Sequence, residues 1–134
     1  MTVIQWSDEL SVKIPSIDNQ HKTLVKLINK LDAAIEAGNA RQVLQVVLGE
    51  LTRYAQAHFI YEEALFTLYH YPDSANHILS HEKLFEKVEQ FKQALEDNED
   101  IYAQLVAFLN DWLAHHILQE DMAYSVYLLQ QGAE

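Results

Sequence analysis

Two pairs of side chains set four residues apart, His58 with Glu62 and His77 with His81, carry the first chemical signal in this sequence. On a helix, residues i and i+4 stand one above the other on one face, so each pair can aim two donor atoms at one point. Imidazole nitrogen and carboxylate oxygen at that spacing are donor types that meet on a metal ion. Two more histidines interrupt apolar stripes: His21 precedes Leu24, Val25 and Ile28, and His116 follows Phe108, Leu109 and Trp112. One such histidine alone is more often a core residue satisfied by a single hydrogen bond, so the signal lies in their number. The chain has no cysteine. Disulfides, thiolate metal sites, iron–sulfur clusters and a cysteine nucleophile are thereby excluded, leaving His, Asp and Glu as the ligands of any metal.

These residues meet only if the elements that carry them do. Three Gly and two Pro in 134 residues are too few for the turns of a many-stranded β fold, while apolar residues recur at helical spacing. Four helices are expected, over about residues 19–37, 40–70, 74–96 and 100–120. Pro15, Ser16 and Asp18 are start signals, and the first stripe, Leu24, Val25, Ile28, Leu31 and Ile35, stops at Gly38. Asn39 can cap the second helix, whose stripe runs Val43, Val47, Leu51, Tyr54, Leu65 and Tyr69 and must end before Pro72. Asp73 or Ser74 can cap the third, which turns Leu84, Phe85, Val88, Phe91 and Leu95 inward. The fourth begins near Asp100 and carries Leu105, Phe108, Leu109, Trp112 and Ile117. Residues 1–18 read as an irregular arm anchored by Trp6, and AYSVYLL as a short C-terminal tail. Short connections make neighbours antiparallel, so the expected fold is an all-α, up-down-up-down four-helix bundle in a single domain, residues 1–134.

That topology allows a comparison of heights. His21 stands 17 residues before the turn at Gly38, and His58 and Glu62 stand 20 and 24 after it. With the third turn at 97–98, His77 and His81 lie about 20 and 16 before it, and His116 and Asp121 about 19 and 24 after it. At about 1.5 Å per residue, all seven fall in a slab roughly 12 Å tall at one end of the bundle. Five imidazoles and two carboxylates in a dry interior carry a large desolvation cost that metal coordination relieves. Two six-coordinate metals offer about 12 positions; five histidines, two bridging carboxylates and one solvent-derived bridge fill about 11 and leave one open. Two divalent ions, two carboxylates and one hydroxide sum to about +1, a charge suited to a dry pocket.

The same residues resemble the hemerythrin family, in its bacterial single-domain form, nearly end to end. The likeness is carried by Trp6, by IDNQH ending at His21, by HFIYEE at 58–63, by YPDSANHILSH at 71–81 and by FLNDWLAHHILQEDMAY at 108–124. It implies a nonheme centre of two iron ions with an oxo or hydroxo bridge and O2 as a reversible ligand. Carried over residue by residue, His77, His81 and His116 hold one iron, His21 and His58 the other, and Glu62 and Asp121 bridge. Spacing alone would nominate Glu120, four after His116; the resemblance favours Asp121. Dioxygen would bind the two-histidine iron.

Around this centre Leu24, Ile28, Phe59, Tyr61, Trp112 and Ile117 are candidate wall residues, with core packing as the simpler role. Ala114, two α-helical turns before Asp121, is small enough to leave space for O2 or water. Gln20, Glu63 and Glu82 adjoin ligand positions but point about 100° away along their helices and are expected to meet solvent unless one accepts a hydrogen bond from a ligand imidazole. His70 and His115 fall outside the constellation.

The implied function is O2 storage, transport or delivery without turnover, with an O2-consuming enzyme as the recipient. A di-iron oxidase, peroxidase or NO-reducing enzyme, or an oxygen or iron sensor, would use the same residues, and zinc accepts the same donors. Five histidines against two carboxylates favour binding, because ferritin-like oxidases use carboxylate-rich sets. A net charge of −11 repels nucleic acid and anionic lipid. MTVIQWSDEL lacks the regions of a secretion signal, and no apolar run approaches the ~18 residues of a membrane span. A soluble, cytoplasmic, monomeric protein is expected.

Overall fold

Proline has no backbone N–H to lose, and its fixed φ suits the first turn of a helix. In the computed structural model, which describes residues 5–38, 41–97 and 101–133, the first helix accordingly opens at Pro15 and runs to Glu36 (α1). This is a turn earlier than the expected start at 19, so the arm ends at Ile14. Nor is the arm wholly irregular, since Asp8–Leu10 forms a 3-10 turn. The Asp18 carboxylate reaches back to accept from the Val12 amide at 2.8 Å and the Ser11 hydroxyl at 2.6 Å. That tether accompanies the burial of Leu10, Val12 and Ile14 in the core. Trp6 packs half-buried against the core, with the Lys22 ammonium 5.2 Å from its ring centre.

Helix α2 spans Arg41–Tyr69, α3 Ser74–Glu96 and α4 Tyr102–His115. A π turn over His116–Asp121 continues α4 directly into α5, Met122–Gln130. With α4, the π turn and α5 forming one rod, the architecture is an antiparallel four-helix bundle. AYSVYLL is therefore helical and belongs to that rod. Helix α1 packs on α2 and on α4, and α2 on α3. Among the described residues no strand is present, and no helix is long and apolar enough to cross a membrane.

Gly38 ends α1 with φ of +71°, the left-handed conformation that glycine adopts without strain. His70 takes a similar φ of +55° after α2, where the Tyr71 amide bonds back to the Phe66 carbonyl at 2.9 Å before Pro72. Asp73 precedes α3, with its carboxylate accepting from the Asn76 side chain rather than from backbone. The expected cap Asn39 and start Asp100 lie outside the described residues.

The buried face of α2 corrects one expected stripe. Val43 is 45% exposed, and the inward row is Leu44, Val47, Leu48, Leu51, Ala55, Phe59 and Phe66. Apolar Val43 and Val46 flank the inward Leu44 and Val47, so apolar spacing alone fits two rows.

Candidate metal centre

The inward row of α2 contains His58 and Glu62 at core positions, one turn apart and level with His21 on α1, His77 and His81 on α3, and His116 and Asp121 on the fourth rod. All seven side chains belong to residues at most 3% exposed. They form two groups: Glu62 with His77, His81 and His116, and His21 with His58, Glu62 and Asp121. Within each group one donor atom per residue lies within 4.8 Å of all the others. That is the scale of the roughly 4 Å between opposite ligands of one ion with bonds of about 2.1 Å.

The carboxylates sit between the groups. One Asp121 oxygen, Oδ2, is 3.0 Å from His21 Nε2, while Oδ1 is 3.2 Å from His77 Nε2 and 3.0 Å from His116 Nε2. Glu62 Oε1 is 3.2 Å from His58 Nε2 and 3.4 Å from His81 Nε2. Close as they are, His21 Nε2, His58 Nε2, His77 Nε2, Glu62 Oε1 and both Asp121 oxygens are buried with no aligned hydrogen-bond partner. Each such group costs about 1–3 kcal/mol when left unsatisfied. Nitrogens and oxygens that crowd one space without bonding one another fit a shared cation, and this donor set fits two.

Spacing cannot find Asp121, because it rests on an unbroken α-helix. In the π turn an i→i+5 hydrogen bond replaces i→i+4, adding one residue to the turn. Asp121, five after His116, thereby comes onto its inner side. Glu120 is used differently: His116 Nδ1–H donates to its carboxylate at 2.6 Å, and the Ser80 hydroxyl donates to the same oxygen at 2.9 Å.

Similar contacts orient other imidazoles. His58 Nδ1–H donates to the Gln20 amide oxygen at 2.5 Å, and His81 Nδ1–H to the Glu63 carboxylate at 3.1 Å. An amide oxygen or a carboxylate can only accept, so each ring carries its proton on Nδ1 and turns an unprotonated Nε2 to the interior, where that of His81 lies 3.2 Å from His116 Nε2. Gln20 and Glu63 thus take the alternative role, accepting from a ligand-position imidazole, instead of the expected solvent-facing one. A direction 100° from the centre of a bundle points sideways, at the next helix, and Gln20 on α1 meets α2 just as Glu63 on α2 meets α3. Glu82 is exposed, as expected, and so are His70 and His115.

Tyr124 on α5 is the participant the sequence reading missed. Its hydroxyl donates to Glu62 Oε2, and it is fully buried, with its ring 5.0 Å from Phe66 and 5.2 Å from His77. Its place three residues after Asp121, one helical turn on, is the signal that could have found it. Tyr61, whose phenol needs a partner, donates to Ser16 Oγ at 2.9 Å.

Burial disfavours every charge here, yet the charges sustain one another. Burial and the Asp121 charge push Glu62 up, but the charge of His58 and the imidazoles of His58 and His81, facing Oε1 at 3.2 and 3.4 Å, hold it well below the usual carboxylate range. Asp121 is held low against burial first by the charge of His116 and then by the close approach of the His116, His21 and His77 imidazoles. Burial pulls His116 down, but Asp121 and Glu120 raise it to about 10. Burial, then the Glu62 and Asp121 charges, push Tyr124 well above its usual 10, so it stays a donor.

Aromatic rings cover the imidazoles. Phe59 stacks on His81 at 3.7 Å between ring centres, and Trp112 on His116 at 4.3 Å. Beyond Phe59 lies an apolar cavity of about 30 Å³. Leu24, Ile28, Phe59 and Trp112, four of the candidate wall residues, line this cavity, whereas Ala114 and Ile117 do not. Ile117 is fully buried elsewhere in the core, and Ala114 is half-buried. The extra residue of the π turn makes two turns before Asp121 eight residues rather than seven, so Leu113 takes the place expected of Ala114 on the cavity wall.

Comparison with known proteins agrees with this geometry. Residues 12–127 match the hemerythrin HHE cation binding domain. Bacteriohemerythrin of Stenotrophomonas maltophilia is 32% identical over 93% of this chain and 81% of its own length. Bacteriohemerythrin of Pseudomonas aeruginosa strain LESB58 is 34% identical over 92% of this chain and 80% of its own. A wild-type hemerythrin crystal structure superposes with a TM-score of 0.85 at 28% identity, over 95% of this chain and 98% of that one. With bundle, buried donor groups and sequence in agreement along nearly its whole length, this chain belongs to the hemerythrin family.

Proposed function

We propose that this protein binds dioxygen reversibly at a nonheme pair of iron ions and so stores or delivers it. The observation that carries the reading is the pair of buried donor groups sharing Glu62, with an apolar cavity behind Phe59, whose ring stacks on His81. His77, His81 and His116 would hold one ion and His21 and His58 the other, with Glu62 and Asp121 spanning both. Two iron ions in these positions would supply the electrons that dioxygen takes up on binding and returns on release.

The remaining work falls to the chain itself. Gln20, Glu63 and Glu120 fix the tautomer and orientation of three imidazoles. Tyr124 holds one oxygen of Glu62 and leaves the other facing His58 and His81. Phe59, Trp112 and Phe66 shield the histidine rings, which lowers access of water to the centre. The cavity walls bring aliphatic and aromatic side chains and one threonine, with no acid or base to move a proton during turnover. Those walls and the preponderance of imidazole support binding over catalysis. The test is the optical spectrum of the iron-loaded protein through repeated removal and readmission of oxygen. A charge-transfer band that rises and falls over many cycles is expected; a band lost irreversibly in the first cycle, or steady consumption of O2, would contradict the reading.

A further inference from the structure

The two donor groups are equally buried, but what stands behind their histidines is not alike. In the three-histidine group, His81 donates to the Glu63 carboxylate at 3.1 Å and His116 to the Glu120 carboxylate at 2.6 Å, with Ser80 fixing Glu120. In the two-histidine group, His58 donates to the neutral amide of Gln20, and the buried Nδ1 of His21 has no hydrogen-bond partner among the described residues. Two carboxylates therefore back one pocket and none backs the other.

A carboxylate accepting Nδ1–H draws the proton toward itself and raises electron density on Nε2, which strengthens that nitrogen as a ligand. An amide oxygen does this more weakly, and an unpartnered Nδ1 not at all. Glu63 and Glu120 are each one-third exposed at the side chain, so water screens part of their charge. Their contacts to the imidazoles are direct, and this component survives screening.

We infer that Glu63 and Glu120 act as positioning residues that set the order of metal loading: the three-histidine pocket fills first, and the pocket backed by Gln20 fills second and empties first. The inference rests on the metal-centre reading above. Three histidines against two already favour that order, and the outer carboxylates widen the gap. Glu63→Gln and Glu120→Gln keep an acceptor of the same shape and remove only its charge, while Gln20→Glu gives the poorer pocket the carboxylate it lacks.

The experiment is a stepwise titration of the metal-free protein with cobalt(II). Proton NMR at one equivalent counts the paramagnetically shifted, exchangeable imidazole N–H signals. Three such signals are expected, together with a first step weakened about tenfold in Glu63→Gln and in Glu120→Gln, and a second step tightened by about the same factor in Gln20→Glu. Two signals at one equivalent, equal weakening of both steps in the glutamine variants, or an unchanged second step in Gln20→Glu would overturn the inference. A wild-type chain that binds no cobalt would instead strike down the metal-centre reading itself.

Discussion

Tyr124 joins two elements through one hydrogen bond. Its hydroxyl satisfies the oxygen of Glu62 that no histidine approaches, in a site where neither residue is solvated. Tyr124→Phe removes the donor and leaves that oxygen buried, so the unfolding free energy in urea should drop by about 1–3 kcal/mol with an unchanged denaturant slope. A loss under a few tenths would mean that the contact is dispensable. His116 supplies a second test. Its raised value, from 6.5 to about 10, stabilises the folded metal-free chain fully below pH 6.5, and this contribution fades as pH rises toward 10. Glu62 and Asp121 are lowered from 4.5 and 3.8, so their contribution is present above those values and fades as pH falls. The melting temperature of the metal-free protein should therefore peak near pH 5–6.5 and decline by pH 9. A metal on His116 must displace its proton, so loading near neutral pH should release protons, which a pH indicator in weak buffer would detect.

Among the elements, the π turn had the largest effect on what the sequence could disclose. Apolar periodicity placed the helices and the heights of His21, His58, Glu62, His77, His81 and His116, because the first five lie in unbroken α-helices and His116 follows directly on α4, before the extra residue of the π turn takes effect. One additional residue between His116 and Asp121 shifts every facing relation across it, and periodicity carries no mark of it. Spacing then selects Glu120, and only family likeness selects Asp121. The same shift exchanges Ala114 for Leu113 on the cavity wall. Autoxidation of the iron-loaded protein should accordingly quicken several-fold in Leu113→Ala, which opens the wall, and stay near wild type in Ala114→Leu; the reverse pattern would refute the shifted register. Helix α2 offers a simpler test. Gly49 lies mid-helix with an ordinary φ, and an added Cβ would meet only the flexible Arg53 guanidinium, at 3.3 Å. Gly49→Ala should raise stability by about 0.5–1 kcal/mol in urea unfolding.

In the molecule as a whole, four rods carry donors from positions 21 to 121 to one level of a bundle. Sequence periodicity reveals that level because rise per residue is constant. It does not reveal the lateral contacts of Gln20 and Glu63, which depend on which helix stands beside which. The central claim is that the two donor groups form one centre for two iron ions. The most direct measurement is iron analysis combined with X-ray absorption at the iron edge on the reconstituted protein. The arrangement predicts two irons per chain, an iron–iron scattering path, and an average of 2.5 imidazoles per iron, five histidines shared by two ions. One iron per chain, or two without an iron–iron path, would contradict it.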